Sequence, residues 1–312
     1  MVSEAMLPRA AVKEVEARLT AAGCPDADFD ARELFRLATG RDVRLSDRPL
    51  DAAEAAKLEE LTVRRAAREP LQYLCGSWPF LDFELAVGAG VLCPRADTEV
   101  VAETAAEMLA GVEAPRVLDL CAGTGCLGLG VKRLCPAAQV VCVEKSPEAY
   151  VYLEKNTRLA LKGRGGSTEN VLDASPFEEP AFDWGMKPTR AAEPVEGDLF
   201  TYWETLPEGQ LDLIVSNPPY VPQSDLAAMH ANVREYEPRE ALFVPDDDAL
   251  RFYRAIARAG RRMLRPGGKL YFEIYERSAG QMRLMLGEEG YTDTEVREDL
   301  NGKPRMVCSR MN

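Results

Sequence analysis

The chain has 312 residues, of which 46% are hydrophobic, and a formal net charge of −13. It is longer than one average domain and can fill a substantial core. No stretch approaches the roughly 20 uninterrupted apolar residues that a bilayer crossing needs, and Met1-Val2-Ser3-Glu4-Ala5-Met6 lacks a charged-then-apolar export pattern, so a cytoplasmic protein without membrane association is expected.

The acidic balance disfavours a nucleic-acid backbone as partner and favours a basic protein. Eight cysteines without a Cys-x-x-Cys pair, and His230 as the lone histidine, predict buried free thiols, no metal site and an exposed histidine.

Residues 8 to 70 carry apolar positions at helical spacing, Val12, Val15 and Leu19, then Ala31, Leu34, Phe35 and Leu37, and Asp51 ahead of Ala52-Ala53-Glu54 marks a helix start. Residues 1–76 are therefore expected to form a helical domain that recognises a substrate. The alternation Phe80, Leu81, Phe83, Leu85 and Val87 predicts a β-hairpin linker over residues 77–92. In residues 93–312, strands are expected near 116–120, 139–143, 193–197, 211–216 and 269–274 with helices between them. That alternation predicts an α/β doubly wound, mostly parallel sheet covered on both faces. The segment 162–192 reads as a long surface loop, and Arg254, Arg258, Arg261, Arg262 and Arg265 as the solvated face and end of a helix. Thr292–Leu300 and Arg305–Ser309 around Asn301-Gly302 predict an antiparallel pair.

Two motifs carry chemistry. In the first, the apolar run Val117-Leu118-Asp119-Leu120 enters the turn Cys121-Ala122-Gly123-Thr124-Gly125, and Gly128 follows. Glycines admit a ligand close to the backbone, and a helix start favours a polar group. Glu144 ends the next apolar run and can accept both hydroxyls of a ribose. Gly123, Gly125 and Gly128 satisfy the spacing of a dinucleotide site, so NAD and S-adenosylmethionine both remain open as adenosine-bearing ligands. Asp119 and Asp198 favour the second, because carboxylates attract a sulfonium and an amino group and repel a pyrophosphate.

The second motif is Asn217-Pro218-Pro219-Tyr220, after the apolar run Leu211-Asp212-Leu213-Ile214-Val215. The Asn carbonyl oxygen and the backbone carbonyls beside the prolines form a shelf of acceptors for a planar NH2 group, with the Tyr220 ring as an aromatic face.

These residues resemble the HemK-type glutamine N5-methyltransferases that modify bacterial peptide-release factors. The likeness extends over Arg68-Glu69-Pro70-Leu71-Gln72-Tyr73-Leu74-Cys75-Gly76, Cys93-Pro94-Arg95-Ala96-Asp97-Thr98-Glu99, Tyr236-Glu237-Pro238-Arg239-Glu240-Ala241-Leu242, Arg265-Pro266-Gly267-Gly268 with Phe272-Glu273-Ile274, and Asp299-Leu300-Asn301-Gly302-Lys303-Pro304-Arg305. The resemblance implies a seven-stranded sheet of the S-adenosylmethionine-dependent methyltransferase type. It implies that Cys121 to Gly125, Glu144, Asp198, Leu199 and Asn217 bind the cofactor, and that Asn217, Pro218, Pro219 and Tyr220 hold the glutamine of a Gly-Gly-Gln segment. A monomer acting on a release factor is expected. The rival readings are a ribosomal-protein glutamine methyltransferase, a nucleic-acid amino-methyltransferase, an NAD-dependent oxidoreductase and a non-catalytic binding protein of the same fold. Four positions depart from the family's usual pattern. Cys121-Ala122 stands for Gly-Thr, Glu144 for Asp, Leu199 for an aromatic beside adenine, and Tyr275 for the Gly that usually follows Glu-Ile.

Overall fold

The computed structural model describes residues 6–159, 192–299 and 301–312, so the loop expected at 162–192 lies, apart from Ala192, outside the described residues. The chain divides into two compact units, the first ending at Gly76 and including Met229–Tyr236, the second made of Ser77–Ala228 and Glu237–Asn312.

The first unit is helical: α1 (Pro8–Ala21), α2 (Ala27–Thr39), α3 (Ala52–Ala66) and α4 (Leu71–Cys75). Asp51 and Glu54 cap α3 reciprocally, each carboxylate accepting the other's backbone N–H at 2.9 Å, as the Asp51 signal predicts. On α1 the buried stripe is Pro8, Ala11, Val15 and Leu19, with Val12 at its half-buried edge. On α2 it is Ala31, Leu34 and Phe35, with Leu37 half-buried. The buried Arg65–Asp30 pair, 2.7 Å apart, links α3 to α2.

The second unit opens with the hairpin β1 (Ser77–Phe80) and β2 (Phe83–Ala86), then α5 (Ala96–Glu107), β3 (Arg116–Leu120), α6 (Cys126–Leu134), β4 (Gln139–Glu144), α7 (Pro147–Leu159), β5 (Glu193–Glu196) and β6 (Leu211–Ser216). The short β7 (Val221–Pro222) and β8 (Phe243–Val244) pair in parallel, and α8 (Ala231–Tyr236), between them in sequence, belongs to the first unit. Then come α9 (Arg251–Met263), β9 (Leu264–Glu273), α10 (Ala279–Glu288), β10 (Tyr291–Glu298) and β11 (Pro304–Met311).

Seven of these strands form one sheet in the order β10-β11-β9-β6-β3-β4-β5, with β11 antiparallel to both neighbours and the other pairings parallel. Successive residues of each strand point to opposite faces. Val117, Val140, Cys142, Leu213 and Val215 thus pack with α5, α6 and α7, while Leu118, Leu120, Val141, Val143 and Ile214 pack with α9 and α10. Both faces are covered, as near-continuous apolar strands require.

Two expectations differ in detail. β9 begins at Leu264, five residues ahead of the expected 269, because Arg265-Pro266-Gly267-Gly268 forms an irregularity against β6 and does not end the strand. Gly267 takes φ +81°, and a Cβ on Gly268 would lie 2.9 Å from the Arg265 carbonyl oxygen. The β10–β11 connection is also wider than a two-residue Asn-Gly turn. Glu298 pairs with Pro304, and the Asp299 carboxylate organises the loop by accepting the Asn301 and Lys303 N–H groups at 2.8 and 3.1 Å. Among the described residues no helix is long and apolar enough to cross a membrane.

Candidate active site

β3 is followed outward on one side by β4 and β5, and on the other by β6 and β9. The loops leaving β3 and β6 therefore diverge, and the crevice beyond the carboxyl ends of the strands at such a switch point is where open α/β sheets bind ligands. Ser216 Oγ donates to the Leu120 carbonyl at 2.5 Å and fastens the two strand ends together. A cavity of about 360 Å³ opens there, within the size range of small-molecule sites.

The turn after β3 forms its floor. Cys121 has φ +63°, a left-handed conformation costly for a residue with a side chain, and it is stapled in place by Ala122 N–H donating to the Val143 carbonyl at 3.0 Å. Gly123 N–H donates to Glu144 Oε2 at 2.7 Å, while Glu144 Oε1 accepts the Lys145 and Ser146 N–H groups, each at 2.8 Å. Three fixed donors orient the Glu144 carboxylate at the tip of β4, although burial raises its pKa.

Asp119 is only 1% exposed, and its Oδ2 accepts the Gly128 N–H at 2.8 Å from the first turn of α6. Among the described residues its Oδ1 has no hydrogen-bond partner, and neither has Oγ1 of Thr124, a residue 2% exposed. Burial, with the Glu144 charge adding to it, pushes the Asp119 carboxyl up to about 8. Asp198, after β5, behaves oppositely. Burial would raise its pKa, but the Phe200 N–H at 3.0 Å and the Lys145 ammonium at 2.9 Å outweigh that and hold it below the usual carboxylate range.

Of the residues expected to bind a cofactor, Asp119, Cys121, Ala122, Gly123, Thr124, Glu144, Asp198, Leu199 and Asn217 line this one cavity, together with Pro219. Gly125, Pro218 and Tyr220 do not. Gly125 shapes the turn, at φ +80°. Pro218 is buried at the root of the loop. Tyr220 turns its hydroxyl onto Glu273, donating to Oε1 at 3.1 Å, and Thr98 Oγ1 donates to the other oxygen at 2.7 Å. Burial raises the pKa of both Glu273 and Tyr220.

Sequence reasoning did not single out several wall residues. Leu199 is 7% exposed, and the aromatic surface comes from its neighbour Phe200 and from Phe252 on α9, rings 5.8 Å apart that both line the cavity. Arg95 also lines it, held by Glu237 Oε1 at 2.6 Å, while Glu237 Oε2 accepts the Cys93 N–H at 3.0 Å. Both belong to segments already notable for resemblance, but a pair so far apart in sequence is joined only by the fold. Around the cavity four carboxylates, Glu144, Glu148, Asp198 and Glu240, joined by Asp119 where pH rises toward 8, stand against two cations, Arg95 and Lys145. That balance suits a cationic, nucleoside-sized ligand and opposes a pyrophosphate.

Elsewhere four of the arginines of α9 and the start of β9 are neutralised. Arg254, Arg258, Arg262 and Arg265 pair with Asp248, Glu289, Glu208 and Asp212. His230 is exposed, as expected.

A family model described as the PrmC N-terminal domain matches residues 10–76, and one described as the TRM5/TYW2 methyltransferase domain matches residues 99–165. The release factor glutamine methyltransferase of Geobacter sulfurreducens is 37% identical over 85% of this chain and 81% of its own. The protein of that name from Bacteroides thetaiotaomicron is 33% identical over 95% of this chain and 93% of its own. A solved structure of a release factor-specific protein-(glutamine-N5) methyltransferase from Alicyclobacillus acidocaldarius aligns over 72% of this chain and 98% of that one, with 21% identity and a TM-score of 0.39.

Proposed function

The chain belongs to the release factor glutamine methyltransferase family, and from that premise we propose that it transfers a methyl group from S-adenosyl-L-methionine to the side-chain amide nitrogen, N5, of the glutamine in the Gly-Gly-Gln segment of a peptide chain release factor. The observation that carries this reading is that the glycine turn after β3 and the Asn-Pro-Pro loop after β6 open onto one cavity. The cofactor also suits the residues present: among the described residues Asp119 Oδ1 and Thr124 Oγ1 are buried acceptors without a partner, as an ammonium group requires.

In this reading Asp119 and Thr124 hold the amino group, Glu144 the ribose hydroxyls and the rings of Phe200 and Phe252 the adenine. Bound S-adenosylmethionine supplies an electrophilic methyl carbon on a sulfonium. An amide nitrogen is a weak nucleophile because its lone pair is delocalised, so the protein's task is placement. The Asn217 side-chain oxygen and the Pro218 carbonyl accept the two N–H bonds of the substrate amide. They aim its nitrogen and favour the positive charge that builds on it. Pro219 keeps the loop stiff, and Tyr220 offers a ring to the amide plane. Placement of this kind contributes about 7–11 kcal/mol in favourable cases, with acceptor electrostatics adding to it. As the carbon–nitrogen bond forms the carbon–sulfur bond breaks, leaving S-adenosylhomocysteine, and the nitrogen's proton, acidic only at that point, passes to water, so no strong base has to act beforehand. The enzyme acts as a monomer in the cytoplasm.

Mass spectrometry of a purified release factor incubated with the enzyme and S-adenosylmethionine tests this. One added methyl mass on the Gly-Gly-Gln glutamine is expected. A methyl on a ribosomal protein, with the release factor untouched, would replace the substrate.

A further inference from the structure

Tyr275 follows β9 and makes contacts that the proposed chemistry has not yet used. Its ring stacks on that of Tyr220, with centroids 6.3 Å apart and planes 22° from parallel. Its hydroxyl donates to Asp225 Oδ2 at 2.5 Å, in the 3-10 turn Gln223–Ala228 just beyond the Asn-Pro-Pro-Tyr loop. The Arg277 guanidinium carbon lies 5.7 Å from the centre of the Tyr275 ring. Ser278 secures the backbone of Tyr275, donating to its carbonyl from N–H at 2.9 Å and from Oγ at 2.8 Å.

The consequence for Tyr220 is geometric. A phenol ring has two faces and a tip. The tip of Tyr220 is held by Glu273, Tyr275 stacks on the ring, and the ring also packs against the apolar cluster that includes α9 and α10, so its plane has few ways to turn. The loop from 217 to 225 is thereby tied to the end of β9 twice, by the ring stack at Tyr220 and by the hydroxyl at Asp225. Glu273 is also anchored in the sheet, its backbone carbonyl accepting the Tyr253 hydroxyl at 2.8 Å. The supporting surface is thus rigid where it meets the loop.

We propose that Tyr275 is a positioning residue for methyl transfer: its ring fixes the plane of Tyr220, and its hydroxyl fixes Asp225, so that the acceptor loop holds the substrate amide in one orientation. This rests on the reading of Asn217 to Tyr220 as the amide-holding loop. The Tyr275 hydroxyl keeps its proton for this task, because donation to Asp225 raises its pKa.

The test compares Tyr275→Ala with Tyr275→Phe in the full-length enzyme, with release factor and S-adenosylmethionine as substrates. An aromatic pair is worth between about twofold and tenfold in an equilibrium, so Tyr275→Ala, which also loses the hydroxyl, is expected to lower kcat by roughly five- to tenfold. Tyr275→Phe keeps the ring and is expected to stay within about twofold of the parent in kcat, with the KM for release factor rising as the Asp225 tie is lost. Affinity for S-adenosylhomocysteine, measured by calorimetry, should be unchanged in both variants. The proposal is overturned if Tyr275→Ala keeps the parental kcat, if Ala and Phe lower it equally, or if cofactor affinity and melting temperature fall in step with kcat. A parent enzyme that leaves the glutamine unmethylated overturns the functional reading itself, an outcome visible before any variant is compared.

Discussion

Asn217 is half-buried on the cavity wall, at the point where β6 ends and two prolines prevent the strand from continuing. If its carboxamide serves as an acceptor for the substrate N–H, Asn217→Ala removes one oriented group from the transition state and little from the cofactor. The expected result is a loss of roughly 10²–10³-fold in kcat, by analogy with the removal of one oriented polar group from other active sites. Binding of S-adenosylhomocysteine in calorimetry should weaken only in part. Equal losses in turnover and in binding would make Asn217 a structural residue. Asp119 supports a prediction of a different kind. Its folded pKa, about 8, lies above the ordinary 3.8, so its contribution to stability is complete below pH 3.8 and is lost as pH rises toward 8. The slope from this one group cannot exceed about 1.4 kcal/mol per pH unit. Asp119→Asn keeps an acceptor for the Gly128 N–H and carries no charge, so urea melts of the ligand-free variant should lose less stability than the parent between pH 5 and pH 8. The same substitution should remove a rise in affinity for the cationic cofactor over that range, because only the ionised carboxylate attracts it.

At the level of elements, what was legible followed from local rules. The capping signal at Asp51 located α3, and the apolar runs placed β3, β4, β5 and β6 to within a residue at either end. The edges of β9 and of the β10–β11 turn were not legible. Whether Arg265-Pro266-Gly267-Gly268 ends a strand or bends within one is decided by pairing with β6, and the width of the final turn is decided by the Asp299 carboxylate. The candidate site divides in the same way. Its glycine turn, Glu144, Asp198 and Asn217 sit at carboxyl ends of strands, where a pattern of apolar runs already directs attention. Arg95, Glu237 and Phe252 come from two separate loops and a helix on other parts of the chain, and only the folded sheet gathers them. Gly128 shows how tightly that gathering is made, since a Cβ there would lie 2.6 Å from Cys142 Sγ and 2.9 Å from Asp119 Oδ2. The start of α6 rests directly on β3 and β4. Gly128→Ala is therefore expected to destabilise the protein by about 1–3 kcal/mol, read as a lower denaturant midpoint. It should also weaken cofactor binding, because the displaced helix carries away the N–H that orients Asp119.

For the whole molecule, the distribution of charge decides between ligands that share adenosine. The chain carries −13, and the cavity wall repeats that sign with four carboxylates besides Asp119 against two cations. Four of the arginines of α9 and β9 are paired with acidic side chains and offer no compensating patch. A dinucleotide would bring two further negative charges to such a wall, whereas S-adenosylhomocysteine brings an ammonium group, its carboxylate and no phosphate. A ligand that binds only the native state stabilises it in proportion to the logarithm of its saturation, about 2.7 kcal/mol at a hundredfold excess over Kd. For a protein of this size that corresponds to an upward shift of roughly 4 °C in Tm. S-adenosylhomocysteine should produce such a shift in a thermal melt and NADH none. The reverse ranking would mean that the glycine turn after β3 cradles a pyrophosphate and that the carboxylates around it do not govern what binds.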